Sequence, residues 1–241
     1  MRYAIFSDVH SNLEAFVGVL EFYKKEQIDK YIFLGDIIGY GADPSESIRL
    51  LRALGARSLA GNHDQAAAQK FDLGYFNEAA LAALSWTRER LTADEILFLD
   101  ECALIYREGN AVFTHGSLEE PQYFNYVLNI SDARRNFLLS EQQLIFVGHS
   151  HKAQAYYSQD GVVQFIPEAQ FPLSPEKRYI INVGSVGQPR DRDPRASCCV
   201  YDSQARTVMV KRVEYDIKKA ADKIVKAGLP QVLASRLSMG W

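Results

Sequence analysis

The sequence predicts an α/β protein, a four-layer αββα sandwich in which two mixed β-sheets pack face to face with helices outside. Three observations lead there. Over the first half of the chain, short apolar runs rich in Ile, Val, Phe and Leu alternate with helical patterns, which argues for βαβ units and a partly parallel sheet. After His151 the pattern changes to a hairpin and further strands with little helix between them, so a second sheet is expected. With 241 residues, 47% of them apolar, the chain can bury a large core. It shows no repeat and no polar linker, so residues 1–241 read as a single domain with a C-terminal helical segment at about 216–241.

The expected strands are Tyr3 to Ser7, Tyr31 to Leu34, Arg57 to Ala60, Ala111 to Thr114, Leu144 to Val147, Tyr179 to Val183, Cys198 to Tyr201 and Thr207 to Val213. A first helix is expected over Leu13 to Glu26, with Leu13, Phe16, Val17 and Leu20 on its apolar face. A second begins in ADPSESIRLLRALG, where Asp43 reads as the N-cap, Pro44 as the first helical residue, Glu46 as the closing member of a capping box and Gly55 as the stop. The run Asn77 to Arg90 favours helix, and Thr92 to Glu95 (TADE) forms another capping box. AQAYYSQDGVVQFIPE reads as a hairpin turning at Asp160 and Gly161. Asp216 to Leu237 returns to helical periodicity, divided by Gly228 and Pro230, and the final LSMGW is apolar enough to dock on the body or on a neighbour.

A net charge of -3 gives no reason to expect a duplex nucleic-acid or membrane-surface binder. The cysteines Cys102, Cys198 and Cys199 lack framework spacing, and the adjacent pair should point to opposite faces of a strand. A reduced compartment suits them, and Asp8 and His10 interrupt the N-terminal apolar run before a signal core or membrane span forms. The expected location is the cytoplasm. A homo-oligomer is left open.

The chain has only five histidines, and each stands just after an apolar run: His10 in SDVHSN, His63 in AGNHDQ, His115 in FTHGS, and His149 with His151 in IFVGHSH. Asp36 in IFLGDIIG occupies the same kind of place. Asp8 with His10, and His149 with His151, are i, i+2 pairs leaving a strand, so each pair should point to one side and grip one ion. Asp36 and Asn62 each follow a glycine, which lets backbone approach a buried ion closely. A donor set of Asp, His and Asn without thiolate favours Mn, Fe, Zn or a similar ion, and two close cations suit a phosphate ester.

The ordered series DVH, GD, GNHD, H and GHSH resembles the calcineurin-like metallophosphoesterase superfamily from residue 3 to about 195. GYGADPSESIRLLR, HGS and NVGSVGQPRDRDPR resemble its small bacterial and archaeal phosphodiesterase branch, whose members commonly have Pro where this chain has Val183 and often Gly where it has Arg192. The resemblance implies two divalent transition-metal ions (Mn, Fe, Zn or Ni), one held by Asp8, His10 and His151, the other by Asn62, His115 and His149, with Asp36 bridging them. It implies that His63 faces the leaving group, that Asp64 orients its imidazole, and that a metal-bound hydroxide attacks the phosphate of a small or nucleotide-type diester directly. A monoester or a diadenosine polyphosphate is the alternative substrate, and a scaffold that has lost its metals is the alternative class.

Other readings stay paired. Arg190 either contacts substrate phosphate or pairs with Asp191 or Asp193, and Tyr40 and Asp43 are placed to line the pocket because their loop follows Asp36 directly. Asp43 is read as a helix cap, and Asn77 and Trp86 as capping and packing residues.

Overall fold

The computed structural model describes residues 1–241. Its strands are β1 (Arg2–Phe6), β2 (Lys30–Phe33), β3 (Arg57–Ser58), β4 (Ile105–Glu108), β5 (Ala111–Thr114), β6 (Leu144–Val147), β7 (Ala153–Gln159), β8 (Val162–Ile166), β9 (Gln170–Pro172), β10 (Arg178–Val183), β11 (Ala196–Asp202) and β12 (Thr207–Val213). Its α-helices are α1 (Leu13–Tyr23), α2 (Pro44–Leu54), α3 (Asn62–Ala67), α4 (Glu78–Arg88), α5 (Ala93–Asp100), α6 (Ile130–Leu138), α7 (Ile217–Lys226) and α8 (Gln231–Met239).

The strands form two six-stranded sheets, ordered β3-β2-β1-β11-β12-β9 and β4-β5-β6-β10-β7-β8. Each has a parallel part, β1 with β2 and β3 in one and β5 with β6 and β10 in the other, and antiparallel strands complete both. Strand alternation sorts the core into layers. On β1, Ile5 joins Phe113, Phe146 and Ile181 between the sheets, whereas Ala4 and Phe6 meet the helices with Phe16 and Ile48. Cys198 and Cys199 divide in the same way, one under the helices and one between the sheets, as adjacent strand residues must. On the outer face of the second sheet, Ala133 and Phe137 of α6 cover Val112, Ile145 and Ile180. The αββα layering follows from these three apolar seams.

Several local expectations hold for the stated reasons. Thr92 and Glu95 close a reciprocal capping box at α5, and Gly55 ends α2 in the left-handed region at φ 65°. Asp160 (φ 51°) and Gly161 (φ 78°) both take positive φ between β7 and β8, the requirement of a tight two-residue hairpin turn. Others differ. Helix α1 stops at Tyr23 and buries Ala15, Phe16, Val19 and Tyr23, while Val17 is 43% exposed, so its apolar stripe lies to one side of the expected one. The expected strand Arg57 to Ala60 keeps regular pairing only at Arg57 and Ser58, with Leu59 bridging Ala103. Asp43 makes no side-chain cap on α2 because its carboxylate is held by Lys223 Nζ at 2.9 and 3.0 Å, and Glu46 closes no box there.

The C-terminal helices fold back on the body. Ala220 and Ile224 of α7 and Leu233 and Leu237 of α8 form one apolar cluster with Tyr40 and α4. The terminal residues also dock there: Gly240 carbonyl accepts the Arg192 amide at 2.9 Å, although Trp241 stays 64% exposed. No helix is long and apolar enough to cross a membrane.

Candidate metal centre and active-site cleft

The parallel strands β1, β2, β3, β5, β6 and β10 all deliver their C-terminal ends to one edge of the sandwich, the place where open α/β sheets present side chains to ligands. Asp8, Asp36, Asn62, His115 and the pair His149 and His151 stand in the first five of these loops, and all are buried. The pairs do not converge through strand pleat as expected, since β1 ends at Phe6 and β6 at Val147. Instead Asp8 (φ 57°), His10 (φ 50°), Asp36 (φ 61°), His149 (φ 64°) and His151 (φ 58°) sit in the left-handed region. Each such residue stores roughly 1–3 kcal/mol of strain, which the surrounding fold must offset.

Glycines make the approach feasible. A Cβ at Gly61 would lie 2.0 Å from Asp36 Oδ1, and one at Gly35 (φ 119°) would strike the Gly61 nitrogen at 2.4 Å. The GD and GN loops therefore touch through two missing side chains.

The donors close on one another. Asp8 Oδ1 lies 3.2 Å from His151 Nε2 and 3.7 Å from His10 Nε2. Asp36 Oδ2 stands between the two groups, 3.6 Å from His10 Nε2 and 3.3 Å from His115 Nε2. Asp8, His10 and His151 form one set whose ligand atoms lie within 4.8 Å of one another, and Asp36, His115 and His149 form a second. His63 makes a third set with His10 and Asp36.

The proton inventory fits cations. Nδ1 of His10, His115 and His151 meets the carbonyls of Ile38, Leu34 and Gln188 at 2.9, 3.2 and 2.5 Å, so in each neutral ring Nδ1 carries the hydrogen. Their Nε2 lone pairs then face the centre, and those of His10 and His151 lie 3.1 Å apart with no hydrogen between them. Asp8 Oδ1, Asn62 Oδ1 and His115 Nε2 are buried without a hydrogen-bond partner. Unpaired acceptors concentrated in this way are costly unless a cation serves them.

Electrostatics agree. Burial alone would raise Asp36, yet His115 and His63 outweigh it and hold the carboxyl well below its usual range. Burial would lower His115, but Asp36 and Asp8 lift it to about 9, which shows how strongly the carboxylates draw positive charge to this spot. Burial takes His63 down to about 3 and His151 to about 4, and pushes His149 down as well, leaving these three neutral and fit to ligate at neutral pH.

One expected contact is absent. Asp64 does not meet the His63 imidazole: Oδ2 accepts the amides of Asp36 (2.7 Å) and Gly61 (3.0 Å), and Oδ1 those of Ile37 (3.1 Å) and Ile38 (3.4 Å). The carboxylate is a clamp joining the GD and GN loops. His63 Nδ1 has no partner, and the ring is held by aromatic edges, His10 at 4.8 Å, Tyr40 at 4.6 Å and Phe76 at 4.8 Å between centroids.

These groups open onto a cleft lined by Asp36, Asn62, His63, His149, His151 and Arg190, with Tyr40, Tyr126 and Asn77 among its walls. Arg190 forms no ion pair, because Asp191 is taken by Arg212 and Asp193 by Arg195, and its guanidinium instead lies 5.6 Å above the Tyr40 ring. Asn77 caps α4 through the Ala80 amide at 3.0 Å, and Trp86 packs beneath Arg90 at 3.9 Å.

Sequence reasoning missed three supports. Tyr126 stacks on His149, 4.1 Å between centroids at 8°. Asn182 holds the GHSH loop through Gly148 carbonyl (2.8 Å) and Ser150 Oγ (2.9 Å). Ser185 Oγ donates to Asp8 carbonyl at 2.9 Å. Asn182 and Ser185 belong to the NVGSVGQPRDRDPR piece, whose polar residues next to an apolar strand were a usable signal. Tyr126 lies in a loop without periodicity and offered none.

A cluster of carboxylate and imidazole at strand ends between two mixed sheets can hold metal, and the comparisons place the chain among metal-dependent phosphoesterases. Residues 1–206 match the calcineurin-like phosphoesterase superfamily domain, and the chain belongs to that superfamily. It is 41% identical to an uncharacterized protein of Methanocaldococcus jannaschii, over 98% of this chain and 97% of that one. Among solved structures it resembles a metallophosphoesterase from Sphaerobacter thermophilus, with a TM-score of 0.86 and 37% identity over 100% of this chain and 99% of that one. A hypothetical protein from Pyrococcus horikoshii OT3 shares the fold at a TM-score of 0.80 and 21% identity, over 100% and 98% of the two chains.

Proposed function

We propose that the protein is a metal-dependent phosphodiesterase acting on a small or nucleotide-type diester, with the whole chain 1–241 working as one domain. The observation that carries this reading is the position of Asp36 Oδ2 between His10 Nε2 at 3.6 Å and His115 Nε2 at 3.3 Å, which suits a carboxylate bridging two ions. Asp8, His10 and His151 would hold one ion and Asn62, His115 and His149 the other, each sharing Asp36. Two divalent ions held there would supply Lewis acidity toward phosphoryl oxygens and would lower the pKa of a water.

The protein's own groups then have separate tasks. The carbonyls of Ile38, Leu34 and Gln188 keep His10, His115 and His151 in the ligating tautomer. Arg190, on the wall of the cleft and free of carboxylate partners, binds a non-bridging phosphate oxygen through its fork of donors. His63 faces the departing oxygen and stabilises the charge that develops there through a hydrogen bond from its neutral ring, and burial among aromatic edges keeps that ring in place. Asp64 acts through the loops, by holding the backbone of Asp36.

The test is turnover of an aryl phosphodiester against the matching monoester with Mn, Fe, Zn and Ni added singly. The diester should be cleaved faster. A monoester preferred by about tenfold or more across several metals overturns the diesterase reading.

A further inference from the structure

Gln188, buried next to Arg190, accepts from two arginines with one oxygen: Arg190 Nη2 at 2.7 Å and Arg236 Nη1 at 3.4 Å. Arg236 comes from α8, beyond the matched family domain of residues 1–206. Neither guanidinium takes part in an ion pair, the nearby acids Asp191 and Asp193 being occupied by Arg212 and Arg195. Each also keeps a buried Nε with no partner. Burial, then the charge of Arg190, lower the Arg236 pKa, and Tyr40 opposes them, so the pair is held together against its own repulsion.

Two half-buried like charges sharing one neutral oxygen are poorly compensated, and an anion is the partner they lack. Their place fixes which anion. The backbone of Gln188 holds His151 Nδ1 at 2.5 Å, Arg190 amide donates to His151 carbonyl at 3.0 Å and Arg190 lines the cleft, so Arg190 stands beside the cluster of ligand atoms and Arg236 lies behind it, joined through the shared Gln188 oxygen. The helix bearing Arg236 is fixed in turn, since Leu233, Ala234 and Leu237 pack with Tyr40.

We propose that Arg236, next to Arg190, is a specificity-determining residue that binds a second acidic group on the substrate, one phosphate removed from the group being cleaved and held by Arg190. The preferred substrate is then a phosphate ester or anhydride with an additional phosphate, and the C-terminal helices carry this selectivity. The inference rests on the phosphoesterase reading for what becomes of the bound molecule, but the binding itself is measured separately.

AMP and ADP, which differ by one phosphate, are suitable probes, titrated calorimetrically into the metal-loaded protein and its variants. Arg236→Gln should weaken ADP by about tenfold or more and AMP by less than about twofold. Arg236→Lys, which keeps the charge and loses the planar fork, should fall between Gln and wild type for ADP and leave AMP unchanged. Loss of both nucleotides in equal measure, or of neither, in the Lys variant as well as the Gln variant overturns the assignment, and the Lys variant keeps the test decisive if the Gln variant fails to fold. Wild type that favours ADP through Arg236 but cleaves no phosphate ester defeats the hydrolase reading alone. Wild type that cleaves esters but binds both nucleotides identically in both variants defeats the role of Arg236 alone.

Discussion

Asp64→Asn separates two roles for the carboxylate that follows His63. In the structure, two amides converge on each of its oxygens, from Asp36 and Gly61 on Oδ2 and from Ile37 and Ile38 on Oδ1. An asparagine keeps one oxygen and turns an NH2 toward the other two amides, donor against donor. Hydrogen bonds to a charged group are worth about 1.5–3 kcal/mol each, so losing two costs about 3–6 kcal/mol, a large part of an ordinary domain's stability. The Asp36 loop also loses its anchor, and a misplacement of about 1 Å at a reacting centre can cost about 10²-fold in rate. Urea unfolding of the metal-loaded variant should show the stability loss, and turnover should fall alike for substrates with good and poor leaving groups. A variant within about 0.5 kcal/mol of wild type that slows only on poor leaving groups would refute the clamp and restore Asp64 as the orienter of His63.

Gly61→Ala should abolish activity and also cost stability, because although the φ of -98° suits alanine its Cβ would lie 2.0 Å from Asp36 Oδ1 and 2.5 Å from the Asp36 backbone nitrogen; normal turnover with normal metal content would contradict the close approach. His63→Ala should retain its metals and lose about 10²–10⁴ in rate on alkyl or nucleoside esters but little on activated aryl esters, and metal loss or uniform slowing would remove it from the leaving-group position. Arg192, exposed at φ 69° in the left-handed region, should be strained, so Arg192→Gly should raise stability by about 0.5–1 kcal/mol in thermal melts; a lower Tm would count against that reading.

The two sheets and most of their strands were readable because apolar runs of period two state which face is buried, as Ile5 against Ala4 and Phe6 shows. The candidate ligands were readable because polar residues that chelate are conspicuous immediately after such runs. What escaped depended on contacts distant in sequence. Asp43 was drawn from its cap by Lys223, and Asp64 turned from its neighbour His63 to amides on another loop. Arg236 reached the Gln188 oxygen it shares with Arg190 only because α7 and α8 fold back over Tyr40. The left-handed φ values at Asp8, His10, His149 and His151 left only a weak trace in residue type, since Asp and His are enriched there but glycine, the strong marker of that region, is absent.

The central claim is that Asp36 bridges two ions, and metal content tests it most directly. Elemental analysis of purified wild type should find about two transition-metal ions per chain, and Asp36→Asn should lose both together with activity, because a neutral amide is a poor bridge. An Asp36→Asn protein that keeps its full metal complement and normal turnover would contradict the account.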